Sequence, residues 1–150
     1  MTTPTLMEGS EVVARAMVDA GCRFFTGYPM TPFTEVLEHM AALLPDVDGV
    51  CVNAESELEA VGMVWGAAAA GFRAATGSTG QGLSLMQESI AEASLAGIGF
   101  VVVNMARGQG DYFQLTRGGG HGDYRTPVLA PSGPNEVAAL VEEAFDLADR

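Results

Sequence analysis

Four short runs of small, β-branched or aromatic residues, CRFFTGY (22–28), GVCVN (49–53), RAATGS (73–78) and GFVVVNM (99–105), each lead through a turn toward further structure, and the first three open onto helical periodicity. That alternation limits the fold more than any other feature. Strands separated by helices cannot close into hairpins, so they pair in parallel through crossovers, with helices covering both faces. The expected architecture is a three-layer α/β/α arrangement with a mainly parallel sheet. Residues 1–150 have the length of one domain, enough to bury a substantial core.

The remaining elements follow from periodicity and punctuation. A first helix is expected over 10–20, with Ser10 as cap and Gly21 as stop. A second runs from about Thr31 to Leu44, where Pro45 and the turn DVDG end it. The third, 56–71, is small and apolar nearly all round and is expected to lie buried between layers. A fourth covers 80–97, the strand GFVVVNM reads as fully buried, PVLA (127–130) reads as a last strand, and a final helix runs from Asn135 to the end. Residues 106–126 show little periodicity and read as one long loop, a length that in compact domains is usually functional or mobile.

Charge excludes several function classes. The chain carries 19 acids against seven bases, a net charge of −12, and makes a poor surface for nucleic acid. All seven bases are arginine, and without a lysine the glycine-rich TGSTGQG cannot be a P-loop. Arg107, Arg117 and Arg125 concentrate positive charge in one stretch, either as an anion-facing region or as three solvated arginines. Cys22 and Cys51 belong to no CxxC and have no histidine at metal-ligand spacing, so they read as buried, reduced thiols, and no metal ligands are assigned to this chain. No apolar run reaches membrane-spanning length, and MTTPTLMEGS lacks the features of a signal peptide, so the expectation is a cytoplasmic protein without a membrane partner.

Ligands of parallel sheets bind beyond the carboxyl ends of the strands. The turns expected to carry function are therefore GYPMTP, NAESE, TGSTGQG and the segment after Met105. GYPMTP has more constraints than a strand-to-helix turn needs. In TGSTGQG, either backbone N–H groups face an anion or Ser78 or Thr79 marks the start of a helix in a tight turn. Glu55, Glu57 and Glu59 open the third helix, where the helix dipole favours acids; whichever of them points at the core would be desolvated and could hold a proton for a ligand. His39 falls on a helix surface by spacing, and His121 lies among glycines near the arginines; neither has a serine or cysteine partner for a hydrolytic triad.

Together these segments resemble the amino-terminal domain of the α subunit of 2-oxoacid:ferredoxin oxidoreductases, along nearly the whole chain. GYPMTPFTE is similar to the family's YPITPS-E signature, AESELEAVGMVWGAAAAG to its glutamate helix, STGQGLSLM to its TSGPG-SLM, and VVVNMARG to its strand ending in arginine. DYFQLTRGGGHGDYR is similar to the branch acting on 2-oxoglutarate or branched-chain 2-oxoacids more than to the pyruvate branch. The resemblance implies the thiamine-diphosphate-binding pyrimidine-domain fold. It also implies oxidative decarboxylation of a 2-oxoacid, with coenzyme A accepting the acyl group and electrons leaving through iron–sulfur clusters to ferredoxin.

By the same resemblance, Glu57 is the catalytic glutamate that hydrogen-bonds the aminopyrimidine ring, where a donating carboxyl favours the tautomer able to take a proton from the thiazolium carbon. Tyr28 and Pro29 line the cofactor cleft, and Thr31 and Arg107 contact the substrate, the guanidinium suiting a carboxylate in bidentate fashion. Read alone, Thr31 could cap a helix and Arg107 could be a charge at a strand end. Between Arg107 and DYFQ only GQG intervenes, where the family carries a longer insert; Met30, Phe33 and Gln81 replace commoner residues; and the family's α subunits continue into a further domain. No GDG pattern for magnesium and diphosphate occurs here, and two cysteines cannot bind an iron–sulfur cluster; the resemblance therefore implies that a β subunit holds magnesium and another partner chain the iron–sulfur clusters. Two other functions fit the same residues: a pyrimidine-domain subunit of a non-oxidative thiamine-dependent decarboxylase, and a non-catalytic partner-binding domain.

Overall fold

In a computed structural model that describes residues 5–150, helix α1 (Gly9–Asp19) precedes strand β1 (Phe24–Gly27). The chain continues through α2 (Thr34–Leu43), a 3-10 turn (Leu44–Val47), β2 (Val50–Asn53), α3 (Glu57–Ala69), β3 (Ala74–Ser78) and α4 (Gly80–Ala96). Strand β4 (Val101–Asn104) and helices α5 (Gln109–Thr116) and α6 (Pro134–Ala148) complete it. Residues 1–4, which opened the stretch read for a signal peptide, lie outside the described residues. The sheet is parallel throughout, in the order β2-β1-β3-β4, as the alternation requires.

Because side chains alternate along a strand, each face of the sheet builds its own core. Phe25, Ala75 and Val101 face α1, α2 and α6, where Met17, Val36, Met40 and Phe145 are buried. Ala74, with the half-buried Phe24 and Val102, faces α3 and α4 through Val61, Val64, Leu83 and Met86. At the carboxyl ends of the two central strands Gly27 pairs in register with Gly77. The fully buried ring of Phe33 lies over both. A Cβ on Gly27 would approach Phe33 Cε1 to 2.6 Å, and one on Gly77 would strike the same ring and stand 2.6 Å from the Val103 carbonyl oxygen.

Several boundaries differ from expectation for local reasons. Ser10 does not cap α1 but lies buried inside it; Glu8 occupies the cap position without a side-chain bond, and packing on α2 and α6 holds the helix instead. Helix α2 starts at Thr34 rather than Thr31; ahead of it the N–H groups of Phe33 and Thr34 both donate to the Met30 carbonyl, closing the residues between into a turn. At its other end α2 stops at Leu43, one residue before the expected Leu44, and Pro45 enters the following 3-10 turn near its start, where no N–H is needed.

Helix α3 is not enclosed between layers. Its inner face meets the sheet and α4, while Leu58, Gly62, Gly66 and Ala69 remain exposed. Strand β4 is an edge strand with only Val101 buried. PVLA (127–130) forms no strand, since Pro127 and Pro131 bracket it with residues that cannot donate to a ladder. The segment 106–126 contains α5, whose lack of any buried residue explains its weak periodicity.

Among the described residues no helix is long and apolar enough to cross a membrane. Both cysteines are free, and burial pushes the Cys22 thiol up to about 12 and the Cys51 thiol up to about 11, so both stay protonated at neutral pH. At the opposite end of the sheet from the functional turns, Arg73 pairs with Asp146 and Asp149 of α6 and its loop, and also donates to the Ala20 carbonyl.

Two alanine substitutions test the glycine assignments with opposite signs. Gly77→Ala should cost about 1–3 kcal/mol or more through overpacking against Phe33 and Val103. Gly62→Ala, whose Cβ meets nothing within 4 Å, should gain about 0.5–1 kcal/mol of helix propensity. Denaturant midpoints read both; a similar loss in the two variants would refute the packing role given to Gly77.

Candidate functional site

The four turns singled out in the sequence follow the carboxyl ends of β1, β2, β3 and β4 and so share one edge of the sheet. The crevice of such a fold opens where successive connections leave on opposite sides, here between β1 and β3. The connection from β2 to β3 passes over β1, so α3 packs against both central strands. Its first residue thereby reaches the end of β3.

The three acids of the α3 turn separate cleanly. Ser56 is the helix cap and accepts the Glu59 N–H at 3.2 Å, while the Glu59 carboxylate accepts the Glu55 N–H at 2.6 Å. Glu59 is thus spent on capping, and Glu55 stays exposed. Glu57 alone turns inward and is 3% exposed. Its Oε1 accepts the Ser78 hydroxyl at 3.1 Å, its one hydrogen bond among the described residues. Gly82, in the first turn of α4, closes against this pair: a Cβ there would overlap the Ser78 hydroxyl and Glu57 Oε1 and lie 2.8 Å from Glu57 Cδ. TGSTGQG is therefore a close-packed strand-to-helix turn, in which Thr79 holds the cap position of α4 without a side-chain cap bond.

Arg107 follows β4 beside this turn. Its guanidinium donates to the Gln81 side chain, and among the described residues no carboxylate pairs with it. Asp111, in the first turn of α5, fixes the backbone there. One oxygen accepts both the Arg107 N–H at 2.8 Å and the Thr79 hydroxyl at 3.3 Å. The Asn104 side-chain amide donates to the Asp111 carbonyl at 3.3 Å. The three residues GQG thus lead directly into a helix that grips both neighbouring strand ends.

Tyr28, Pro29 and Thr31 stand exposed in the β1–α2 turn. Thr31 caps no helix, since α2 begins at Thr34 with Phe33 in the cap position. The structure brings Glu57 into contact with Ser78, and Arg107 with Gln81; it gives no direct contact between Thr31 and either of them. The three clustered arginines take separate partners. Arg117 stacks on the Phe113 ring at 4.1 Å, and Arg125 turns to the Tyr124 carbonyl at 2.7 Å. His121 pairs with Glu92 at 2.7 Å rather than with the arginines, and its glycine-rich loop is tied to α4 through Tyr124 and Gln87. His39 is half-buried on α2.

Sequence reasoning missed two residues of this edge. Asp111 is legible only as a first-turn acid of a helix that was not expected. Ser78 or Thr79 reads as marking a helix start, a place that Thr79 takes, and nothing local in the sequence announces the partner of Ser78 21 residues earlier.

The fold is thus a parallel three-layer domain that gathers one buried carboxyl, Glu57, and one arginine without a carboxylate partner among the described residues, Arg107, at the carboxyl edge of its sheet. The family model described as pyruvate flavodoxin/ferredoxin oxidoreductase, thiamine diphosphate-binding, matches residues 15–150, and the chain belongs to that family. It is 43% identical to the ketoisovalerate oxidoreductase subunit VorB of Methanothermobacter thermautotrophicus, over 97% of this chain and 44% of that protein. It is 42% identical to the 2-oxoglutarate synthase subunit KorA of the same organism, over 99% of this chain and 42% of that one. A solved 2-oxoglutarate:ferredoxin oxidoreductase from Magnetococcus marinus superimposes with a TM-score of 0.91 at 33% identity, covering 95% of this chain and 27% of that chain. The chain therefore spans less than half the length of these relatives.

Asp111→Ala should leave the Arg107 amide without its charged acceptor. Amide exchange at Arg107 is expected to rise by roughly ten- to a hundredfold, the scale of a hydrogen bond to a charged group. Unchanged exchange there would remove Asp111 from its place as the anchor of this loop.

Proposed function

We propose that this chain forms the pyrimidine-binding domain of a 2-oxoacid:ferredoxin oxidoreductase, residues 1–150 acting as one domain that converts a 2-oxoacid to its acyl-coenzyme A together with partner chains. Glu57 carries this reading: it is a carboxyl buried at the crevice, with one protein partner and a second oxygen left for a ligand. That donor set fits the ring nitrogen of an aminopyrimidine, which needs one directional partner shielded from water. Thiamine diphosphate supplies the nucleophilic carbon that adds to the 2-oxo group and takes up the electrons left as carbon dioxide departs.

Within this scheme Glu57 holds a proton against the ring nitrogen, and its burial keeps that hydrogen bond from competing with water. Tyr28 and Pro29 line the cofactor side of the crevice. The Thr31 hydroxyl, unpartnered among the described residues, donates to the substrate's oxo or carboxylate oxygen. Arg107 receives the substrate carboxylate; Gln81 steadies its guanidinium without neutralising it. Names of the relatives favour 2-oxoglutarate or a branched-chain 2-oxoacid as substrate class. Magnesium with the cofactor's diphosphate belongs to a β subunit in this reading, and the iron–sulfur clusters and ferredoxin docking to further chains of a cytoplasmic complex.

The native complex containing this chain, supplied with thiamine diphosphate, magnesium, coenzyme A and a panel of 2-oxoacids, should reduce a viologen dye. Glu57→Gln should lower kcat by about 10²–10⁴-fold, the usual weight of a positioned proton-transfer group. Arg107→Lys should instead raise KM by about tenfold as the bidentate contact is lost. Carbon dioxide release without dye reduction would replace this reading with a non-oxidative decarboxylase, and an intact but silent complex would replace it with a partner-binding module.

A further inference from the structure

A carboxyl group that donates to a ring nitrogen must carry its proton on the oxygen facing that nitrogen. We propose that Ser78 makes this choice, acting as a positioning residue that holds Glu57 Oε1 as the acceptor oxygen and leaves Oε2 as the donor; the proposal rests on the thiamine-diphosphate reading of Glu57. The Ser78 hydroxyl donates to Oε1 at 3.1 Å, and no other hydrogen bond of that hydroxyl occurs among the described residues. An oxygen that receives a hydrogen bond in this way is the carbonyl-like one of a neutral carboxyl, so the O–H resides on its twin. The same logic orients metal-bound imidazoles, where the bond made by one ring nitrogen decides the role of the other.

The surroundings make Ser78 fit for this task. It is the last residue of β3 and fully buried, and its carbonyl accepts the Met105 N–H at 3.0 Å, so the sheet rather than a mobile loop sets the hydroxyl's position. It is not occupied as a helix cap, because Thr79 holds that position for α4. Gly82 blocks the side of the pair toward α4, where even a methyl group would overlap both side chains, so the carboxyl cannot swing that way. Of the polar side chains buried at this crevice, Ser78 is the one that touches Glu57.

The test uses the native complex, freed of cofactor and reloaded. Thiamine diphosphate affinity is measured calorimetrically for the wild type, Ser78→Ala, Glu57→Ala and the double variant, and kcat and the 2-oxoacid KM are measured for Ser78→Ala and Ser78→Thr. Ser78→Ala is expected to weaken cofactor binding and lower kcat, each by about tenfold, with the 2-oxoacid KM unchanged. Ser78→Thr, which keeps the hydroxyl, should restore most of both. In the Glu57→Ala background, Ser78→Ala should have no further effect, because the residue through which it acts is gone.

Gly82→Ala displaces the pair without altering either group and should reproduce the Ser78→Ala phenotype; it serves equally should Ser78→Ala fail to assemble. Equal losses from Ser78→Ala with and without Glu57, or a change in KM rather than kcat, would overturn the role of Ser78. A wild-type complex that does not bind thiamine diphosphate at all would overturn the reading of Glu57 itself.

Discussion

The ring of Phe33 rests on Gly27 of β1 and Gly77 of β3, and the shape of the carboxyl edge follows from that contact. Neither strand can carry a side chain at this register without displacing the ring. With Phe33 seated, the β1–α2 turn is drawn onto the sheet, and Tyr28, Pro29 and Thr31 stand exposed in it. The same register gives the two strands matching Thr-Gly pairs, Thr26 with Thr76 and Gly27 with Gly77, which keeps their ends level. Ser78, one residue further on, then lies at the correct height for a side chain arriving from α3.

On the opposite face of the sheet the problem is electrostatic. A chain with a net charge of −12 buries the Glu57 carboxyl against Ser78 and leaves Arg107, after β4, with no carboxylate partner among the described residues. A buried ionisable group is tolerated where hydrogen bonds meet it or a ligand completes its set. Asp111 is near enough to have neutralised Arg107, yet it spends its oxygen on the Arg107 N–H and the Thr79 hydroxyl. The backbone is fixed while the guanidinium donates to the neutral Gln81 side chain instead.

How much of this was legible depended on whether the governing interaction was local. The strands, the parallel sheet and helices α1, α4 and α6 follow from apolar spacing and glycine or proline punctuation, and all appear close to where those signals fall. Helix α5 escaped because none of its eight residues is fully buried; Leu115 alone among its apolar residues packs partly on the core. PVLA was misread because its apolar composition outweighed Pro127 and Pro131. Ser10 looked like a cap from its position alone, although packing on other helices fixed that end. Among Glu55, Glu57 and Glu59, local chemistry suited each to the start of α3 and could not rank them; the capping contacts of Glu59 and the inward turn of Glu57, the two acids within its first turn, depend on how α3 lies across β1 and β3. The arginines suggested a shared site because they are neighbours in sequence, and they separate in space because α5 and the glycine-rich loop carry Arg117 and Arg125 away from Arg107.

Sequence by itself determined the layer architecture, the edge at which the four turns gather and the residue types found there, because crossover topology and turn chemistry are written in short-range patterns. Tertiary structure decided the contacts: Ser78 against Glu57, Gly82 behind them, Asp111 beneath Arg107 and Phe33 on its two glycines. Each joins segments separated along the chain or by an unexpected turn of it, and the physical reason is the same in every case. A hydrogen bond or a close packing distance depends on ångström-scale placement, which only the assembled sheet and its helices supply.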